Sequence, residues 1–259
     1  MSENVVQITP LIKFDSDVEL FKLSDKLCLR RAEDEEIHNL LNKITRDVTP
    51  YIHLLEARFV LEDRIEPPSM KRMHDIILAL RLLKAGDLLA LATFQLRGDY
   101  VSLGSWGDLN RMILPGNTYS LGKEETISFN ELWKKIQEAS SKSHLQFPLR
   151  KFMETYDRLD YADKIVEYMI AFESFVFHGR DKTIEPAGEV VGISIGMLVG
   201  NNQKERSRIK KTLVEAYKLR NAKVHGNVKR LESWKRDMRQ LSTEVEECLR
   251  RSLRKLVEE

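Results

Sequence analysis

The stretch Tyr217-Lys-Leu-Arg-Asn-Ala-Lys-Val-His-Gly226 closes a basic run that begins near Gln203. Ile209, Leu213, Ala216 and Tyr217 recur at i, i+4, i+7 and i+8, which predicts an amphipathic helix over 203–224. Arg220 follows Ala216 by four and Tyr217 by three, with Val224 four further on, so a guanidinium stands in line with an apolar stripe. Asn221 and His225, four apart, share the neighbouring edge. Gly226 stands where a left-handed helix cap is expected. On spacing alone, Arg220 reads equally well as an apolar stem whose charged head reaches water.

Context separates this Arg…His pair from two others. Arg31…His38 spans an acidic run, and Arg46…His53 contains the helix-breaking Pro50. The 220–225 pair alone has Asn directly after Arg, an amphipathic helix before it and a basic neighbourhood. Net charge over the chain is only +2, yet residues 201–239 hold 13 Lys and Arg against 4 Asp and Glu. That local excess of nine leaves the other 220 residues seven negative, and such a surface suits a polyanion. Lys210, Lys211, Lys218, Lys223 and Arg230 are the cations expected to bind that polyanion.

The composition, 32% charged and 42% hydrophobic, is that of a folded chain long enough for one or two cores. Cys28 and Cys248 make no motif and are expected as thiols of a cytoplasmic protein. The apolar runs 164–178 and 190–200 are too short or too polar for a bilayer, so no membrane partner is expected. No His/Cys zinc cluster, nucleophile elbow or P-loop occurs, and no metal or cofactor is expected. Asp15, Asp17 and the acidic run after Ala32 lack metal-binding spacing.

An α+β class is predicted. Residues 1–125 form a mixed α/β region, and residues 126–259 an all-helical region with its core over about 145–259. In the first, β-prone runs at 5–14 and 18–31 flank a turn at Asp15-Ser-Asp17, and Glu33, Asp34, Glu35 and Glu36 open a helix reaching about Arg46. Residues 51–61 read as a strand. Pro67-Pro-Ser69 caps a helix over 70–84 that Gly86 ends, and 88–95 and 99–103 read as strands turning at Gly98-Asp99. Gly104-Ser-Trp-Gly-Asp108 and Pro115-Gly-Asn117 punctuate a loop without phosphate-loop character. Ser128 with Glu131 suggests a capping box for a helix to about 140, and Ser140-Ser-Lys-Ser143 a short linker. Helices are predicted at 147–158, 160–178, 188–200, 203–224 and 230–257. Gly188, Gly192, Gly196 and Gly200, every fourth residue, give a small face for close packing. Glu173 shares a helix face with Val166, Ile170 and Phe177 and needs a partner if buried, for which Arg220 is the candidate. Trp234, Met238, Leu241, Val245, Cys248 and Ser252 form a heptad-like seam.

The phrase Arg220-Asn221-Ala-Lys-Val-His225 resembles the signature of the HEPN superfamily. The wider phrase from Ala216 to Gly226 is similar to the ApeA-type branch of defence proteins, with looser likeness at Ile170-Ala-Phe-Glu-Ser174, Phe147-Pro-Leu-Arg-Lys-Phe152 and Ala79-Leu-Arg-Leu-Leu-Lys-Ala-Gly86. Where related helices often carry arginines, this chain reads Gly192-Ile-Ser-Ile-Gly196. The resemblance implies a HEPN-type helical bundle, a homodimer with a composite site, and a metal-independent endoribonuclease of the defence-toxin kind, with an unidentified inhibitor or trigger. It also allows a non-catalytic module binding RNA, a nucleotide or a partner protein. In the catalytic reading His225 is the base for a 2′-hydroxyl, Arg220 holds the phosphate, Asn221 fixes geometry, and Glu173 and Tyr217 support them.

Overall fold

The computed structural model describes residues 5–45, 47–67, 69–105, 117–139, 142–179 and 186–259. The chain is α+β and divides into two compact units, residues 1–133 and 134–259. The division falls inside a helix rather than at 125/126, where strand signals fade in the sequence.

The first unit is built on a six-stranded antiparallel sheet. Its strands are β1 (Val5–Leu11), β3 (Leu20–Ser24), β4 (Leu27–Arg31), β5 (Phe59–Asp63), β6 (Ala92–Arg97) and β7 (Tyr100–Ser105), in the order β3-β4-β5-β1-β6-β7. The central β5 is buried at all five positions, and its two buried carboxylates are paired, Glu62 with Arg30 at 2.6 Å and Asp63 with Arg72 at 2.7 Å. Arg97 opposite Tyr100 closes a two-residue hairpin at Gly98-Asp99, with Gly98 at φ +55°. The expected turn at Asp15-Ser-Asp17 is instead occupied by β2 (Phe14–Ser16), which pairs in parallel with β8 (Tyr119–Leu121). The helix after the acidic run is α1 (Glu36–Ile44). Arg46, where it was expected to end, lies outside the described residues, as do Pro68, 106–116, and Ser140 and Ser141 of the expected linker.

Residues 51–61 are not one strand. Residues Thr49–Glu56 form a 3₁₀ helix with Pro50 in its first turn, where a fixed φ and a missing N–H cost nothing, and only then does β5 begin. Helix α2 (Met70–Leu83) starts at Ser69, whose Oγ accepts the Arg72 N–H. Met73 and the seven consecutive residues from Ile76 to Leu82 are buried, and Tyr119 Oη donates to the Leu80 carbonyl at 2.7 Å. Gly86 is required for packing: a Cβ there would lie 2.8–3.0 Å from Tyr119. Helix α3 (Thr126–Ala139) opens earlier than Ser128 predicted, because the Glu125 carboxylate already accepts the Gly122 N–H one turn before.

The second unit is helical: α4 (Ser143–Glu154), α5 (Tyr161–Val176), α6 (Ala187–Val199), α7 (Gln203–Val224), α8 (Val228–Glu232) and α9 (Met238–Glu258). The single helix expected over 230–257 is two, because Asp237 accepts the N–H groups of Arg239 and Gln240 and starts a fresh helix. Trp234 therefore lies outside the seam, while Leu241, Val245, Cys248 and Ser252 are buried along it.

α6 and α7 form an antiparallel hairpin through a turn whose Asn202 side chain caps α7 at the Glu205 N–H, 3.0 Å. A Cβ on Gly188 would meet Tyr217 at 2.9 Å, and one on Gly192 or Gly196 would meet the Lys210 or Arg206 carbonyl oxygen at 3.0 Å. The last carbonyls of α6 are satisfied by three cations: Lys255 Nζ on Leu198 at 3.0 Å, Arg251 on Val199, and Arg206 Nε on Gly200 at 3.1 Å. Among the described residues no helix is long and apolar enough to cross a membrane.

The Gly face yields a stability prediction. Gly196→Val places branched carbon against a backbone oxygen that cannot rotate away, so urea unfolding should show a loss of about 1–3 kcal/mol. Met197→Ala, one residue on but exposed, should change little. Equal effects at the two positions would contradict the packing described.

Candidate active site

The end of α7 is locked by its backbone. The Asn227 N–H reaches the Ala222 carbonyl at 2.8 Å and the Gly226 N–H reaches that of Lys223 at 3.2 Å. Gly226 adopts φ +64°, which a side chain would resist, and the three features form a Schellman cap. His225, the capping residue, is exposed, and its backbone N–H sits on the Asn221 carbonyl at 3.0 Å.

Arg220 points elsewhere. Its Nη2 donates to Glu173 Oε2 on α5 at 3.3 Å, its Nη1 to Asn221 Oδ1 at 3.1 Å, and its Cζ lies 5.6 Å from the centre of the Tyr217 ring. Its Nε is closed to water and has no acceptor. The pair is about four-fifths buried, with side chains 21% and 22% exposed. One chain thus answers the Arg220 charge without a second copy. Glu173 lies on the flank of α5 with Val166, Ile170 and Phe177, all half-buried, while Ile165, Tyr168, Met169 and Phe172 make the core face. The Tyr217 phenol feels the same Glu173. Burial first, and then that carboxylate, hold its phenol above the ordinary value of 10.0.

Five positions separate Arg220 from His225, about 140° around the helix. Asn221 bridges them, giving its amide oxygen to Arg220 and its carbonyl to the His225 N–H. The Asn221 oxygen is therefore spent on the guanidinium rather than on the imidazole, as the orienting role would have it.

The five cations expected to bind RNA divide into two sets. Lys210 pairs with Glu189 at 2.7 Å. Lys223 pairs with Asp163 at 3.1 Å and Asp160 at 3.4 Å beside the first turn of α5, and the Asp163 hydrogen bond raises its pKa. Lys211, Lys218 and Arg230 instead line an open groove of about 640 Å³ between α7 and the segment after α8, together with Val214, Trp234 and Lys235. Among the described residues these three cations and Lys235 make no ion pair. Glu215, also in the groove, is held by Arg236, which reaches Glu244 at 2.7 Å as well.

Sequence reasoning missed two features. Lys235 and Trp234 join the groove through a break between helices that reads as continuous helix unless Asp237 is recognised as a cap. In the same unit, Glu246 accepts Tyr156 Oη at 3.1 Å and Tyr168 Oη at 3.0 Å and pairs with Arg250, itself 4% exposed at its side chain. Nothing in the local pattern marks those four residues, which come together only through the packing of α5 and α9. Among the described residues no group of three or more His, Cys, Asp or Glu is placed to hold a metal ion. Comparison with family models, curated proteins and solved structures finds no match.

The Glu173 arrangement gives a titration test. Because the folded pKa of Tyr217 is raised, the phenol supports the fold fully below about pH 10, and that support is lost as pH rises through the folded value. Glu173→Gln should shift one tyrosine titration downward in alkaline difference absorbance, and the shift should vanish in Tyr217→Phe. No difference between Glu173→Gln and the parent chain would show that the carboxylate does not act on the phenol.

Proposed function

We propose that the helical unit is a HEPN-type, metal-independent endoribonuclease. The observation that carries this reading is the phrase Arg220-Asn221…His225 at a capped helix end, with the imidazole open to solvent and the guanidinium fixed a few residues away. His225 removes the 2′-hydroxyl proton of a ribose. The oxygen attacks the adjacent phosphorus, the bond to the 5′-oxygen breaks, and the leaving oxygen takes a proton. An imidazole suits the first step because its ordinary pKa, about 6.5, lies near working pH. Arg220 remains charged and offers a planar fork to the phosphate oxygens. To do so it exchanges the Glu173 carboxylate for phosphate, a swap helped by the modest 3.3 Å contact.

The active form in this reading is a homodimer built on the end of α7. Val224 and Val228 support it: they flank His225 and are 53% and 58% exposed, unusual for valines beside a helix cap. A two-fold axis there brings two copies of His225 to one cleft. Val224→Asp should then dissociate the dimer in light scattering and abolish cleavage together. A monomer that still cuts RNA would refute the composite site. In a cell, an RNA-cutting enzyme of this kind acts as a defence toxin held by an inhibitor or awaiting a trigger.

One observation favours a second reading, a non-catalytic module that binds RNA, a nucleotide or a partner protein. Arg220 is already committed to Glu173, Asn221 and Tyr217. Incubating the purified chain with total RNA in EDTA, beside His225→Ala, separates the two. The enzyme reading expects cyclic-phosphate ends and a loss of roughly two to four orders of magnitude in the variant. No cutting of any RNA by either protein would leave the binding module standing, and cutting that requires added metal would overturn the mechanism.

A further inference from the structure

Lys211, Lys218 and His225 are spaced by sevens along α7. Seven residues are two helical turns less about 20°, so the three lie along one line, each about 10 Å from the next. Arg220 lies on a different face, turned to Glu173. Lys211 and Lys218 form one wall of the groove, with Val214 between them, and His225 lies two turns beyond Lys218, outside the groove's lining. Arg230, Trp234 and Lys235 supply the opposite side. Cations therefore stand on both sides of the groove, and the line of α7 that carries Lys211 and Lys218 runs on to the exposed His225. Its one carboxylate, Glu215, is neutralised by Arg236 from the rim.

We infer that this groove is the track for a single-stranded RNA segment next to the cleavage point. Phosphates lie on Lys211, Lys218, Arg230 and Lys235, and one base stacks on the Trp234 indole. This rests on the ribonuclease reading for its direction but not for its existence. Three features select single-stranded nucleic acid over the other polyanion a cationic groove attracts, an acidic peptide. Cations in register along a helix suit a regularly charged backbone. A half-buried indole among them offers a flat apolar face, which a base fills and a carboxylate side chain does not. Val214 gives the floor an apolar patch that suits a base edge and penalises a charged side chain. A duplex has its bases stacked inside, leaving none for the indole.

The test is binding in the His225→Ala background, where cleavage cannot distort it, using a labelled single-stranded oligouridylate and fluorescence anisotropy over a range of salt. Trp234→Ala should weaken binding roughly five- to one-hundred-fold, with Trp234→Phe recovering most of it. Lys211→Gln with Lys218→Gln, two exposed substitutions that leave the fold unchanged, should flatten the slope of log affinity against log salt by about 1.4. Thermal melting of each variant shows whether it remains folded, and the lysine pair decides the matter if Trp234→Ala does not. Lys223→Gln, whose partners are Asp160 and Asp163, should leave the slope unchanged. Unaltered affinity and slope in the lysine double variant would overturn the inference, as would no RNA binding at all, or equal binding of a duplex or of polyglutamate. Cleavage by a chain whose groove variants bind normally would sink the track and leave the ribonuclease standing. Groove-dependent binding without cleavage would do the reverse.

Discussion

The close approach of α6 to α7 sets most of what the helical unit presents. Two helices whose facing residues are Gly188, Gly192 and Gly196 approach until side-chain stems and carbonyls of α7 occupy the space of the missing Cβ atoms. Four glycines in and just after one helix cost several tenths to a full kcal/mol each in propensity, so the contact must return that energy through packing. Because Gly188 lies under Tyr217, the phenol is pressed toward α5 and Glu173, and Arg220, one turn further on, follows it. The opposite side of α7 is left for Lys211, Lys218 and His225. A helix with its apolar contacts on one side and its cations on the other is the ordinary amphipathic solution; here the division also separates the fixed arginine from the open histidine.

That separation alters the chemistry expected from the sequence phrase alone. Arg, Asn and His close together suggest three groups converging on one phosphate. In a single chain they form a relay: Glu173 to Arg220, Arg220 to Asn221, and Asn221 through its carbonyl to the backbone of His225. Such a relay fixes the histidine's position through the main chain and leaves its ring untouched. Convergence on one phosphate then requires either a change of partner at Arg220 or a second chain whose histidine meets this arginine.

Much of this was legible in the sequence. The period of Ile209, Leu213 and Ala216, the Gly226 end and the Gly repeat define α6 and α7 almost to the residue, because each has a local physical cause. Glu173 was legible as a partner for Arg220 because a carboxylate on a half-apolar face has few ways to be satisfied. The failures are of a different kind. The β-like pattern of 51–61 hides a 3₁₀ helix because Pro50 favours a turn just where alternation suggests a strand. The break before α9 went unseen because an apolar seam continues in register across Ser233–Asp237, and periodicity carries no information about a cap. The Tyr156–Glu246–Tyr168–Arg250 cluster was illegible in principle. Its members lie up to 94 positions apart, and the pairing exists only once α5 and α9 are packed.

The electrostatics show why a charge count overstates a binding surface. The excess of nine positive charges over 201–239 treats every cation as available to a ligand. Lys210, Arg220, Lys223 and Arg236 each face a carboxylate, two of them supplied by α5 and one by α6, outside the counted window. Arg206 is spent on the end of α6. Those cations hold helices together, and a polyanion approaching them must first displace an existing partner. Of the other eight, four line one groove: Lys211 and Lys218 in line along α7, with Arg230 and Lys235 facing them. A linear array rewards a linear polyanion more than its total charge implies, because each added phosphate meets a cation already in register and releases its own counterions.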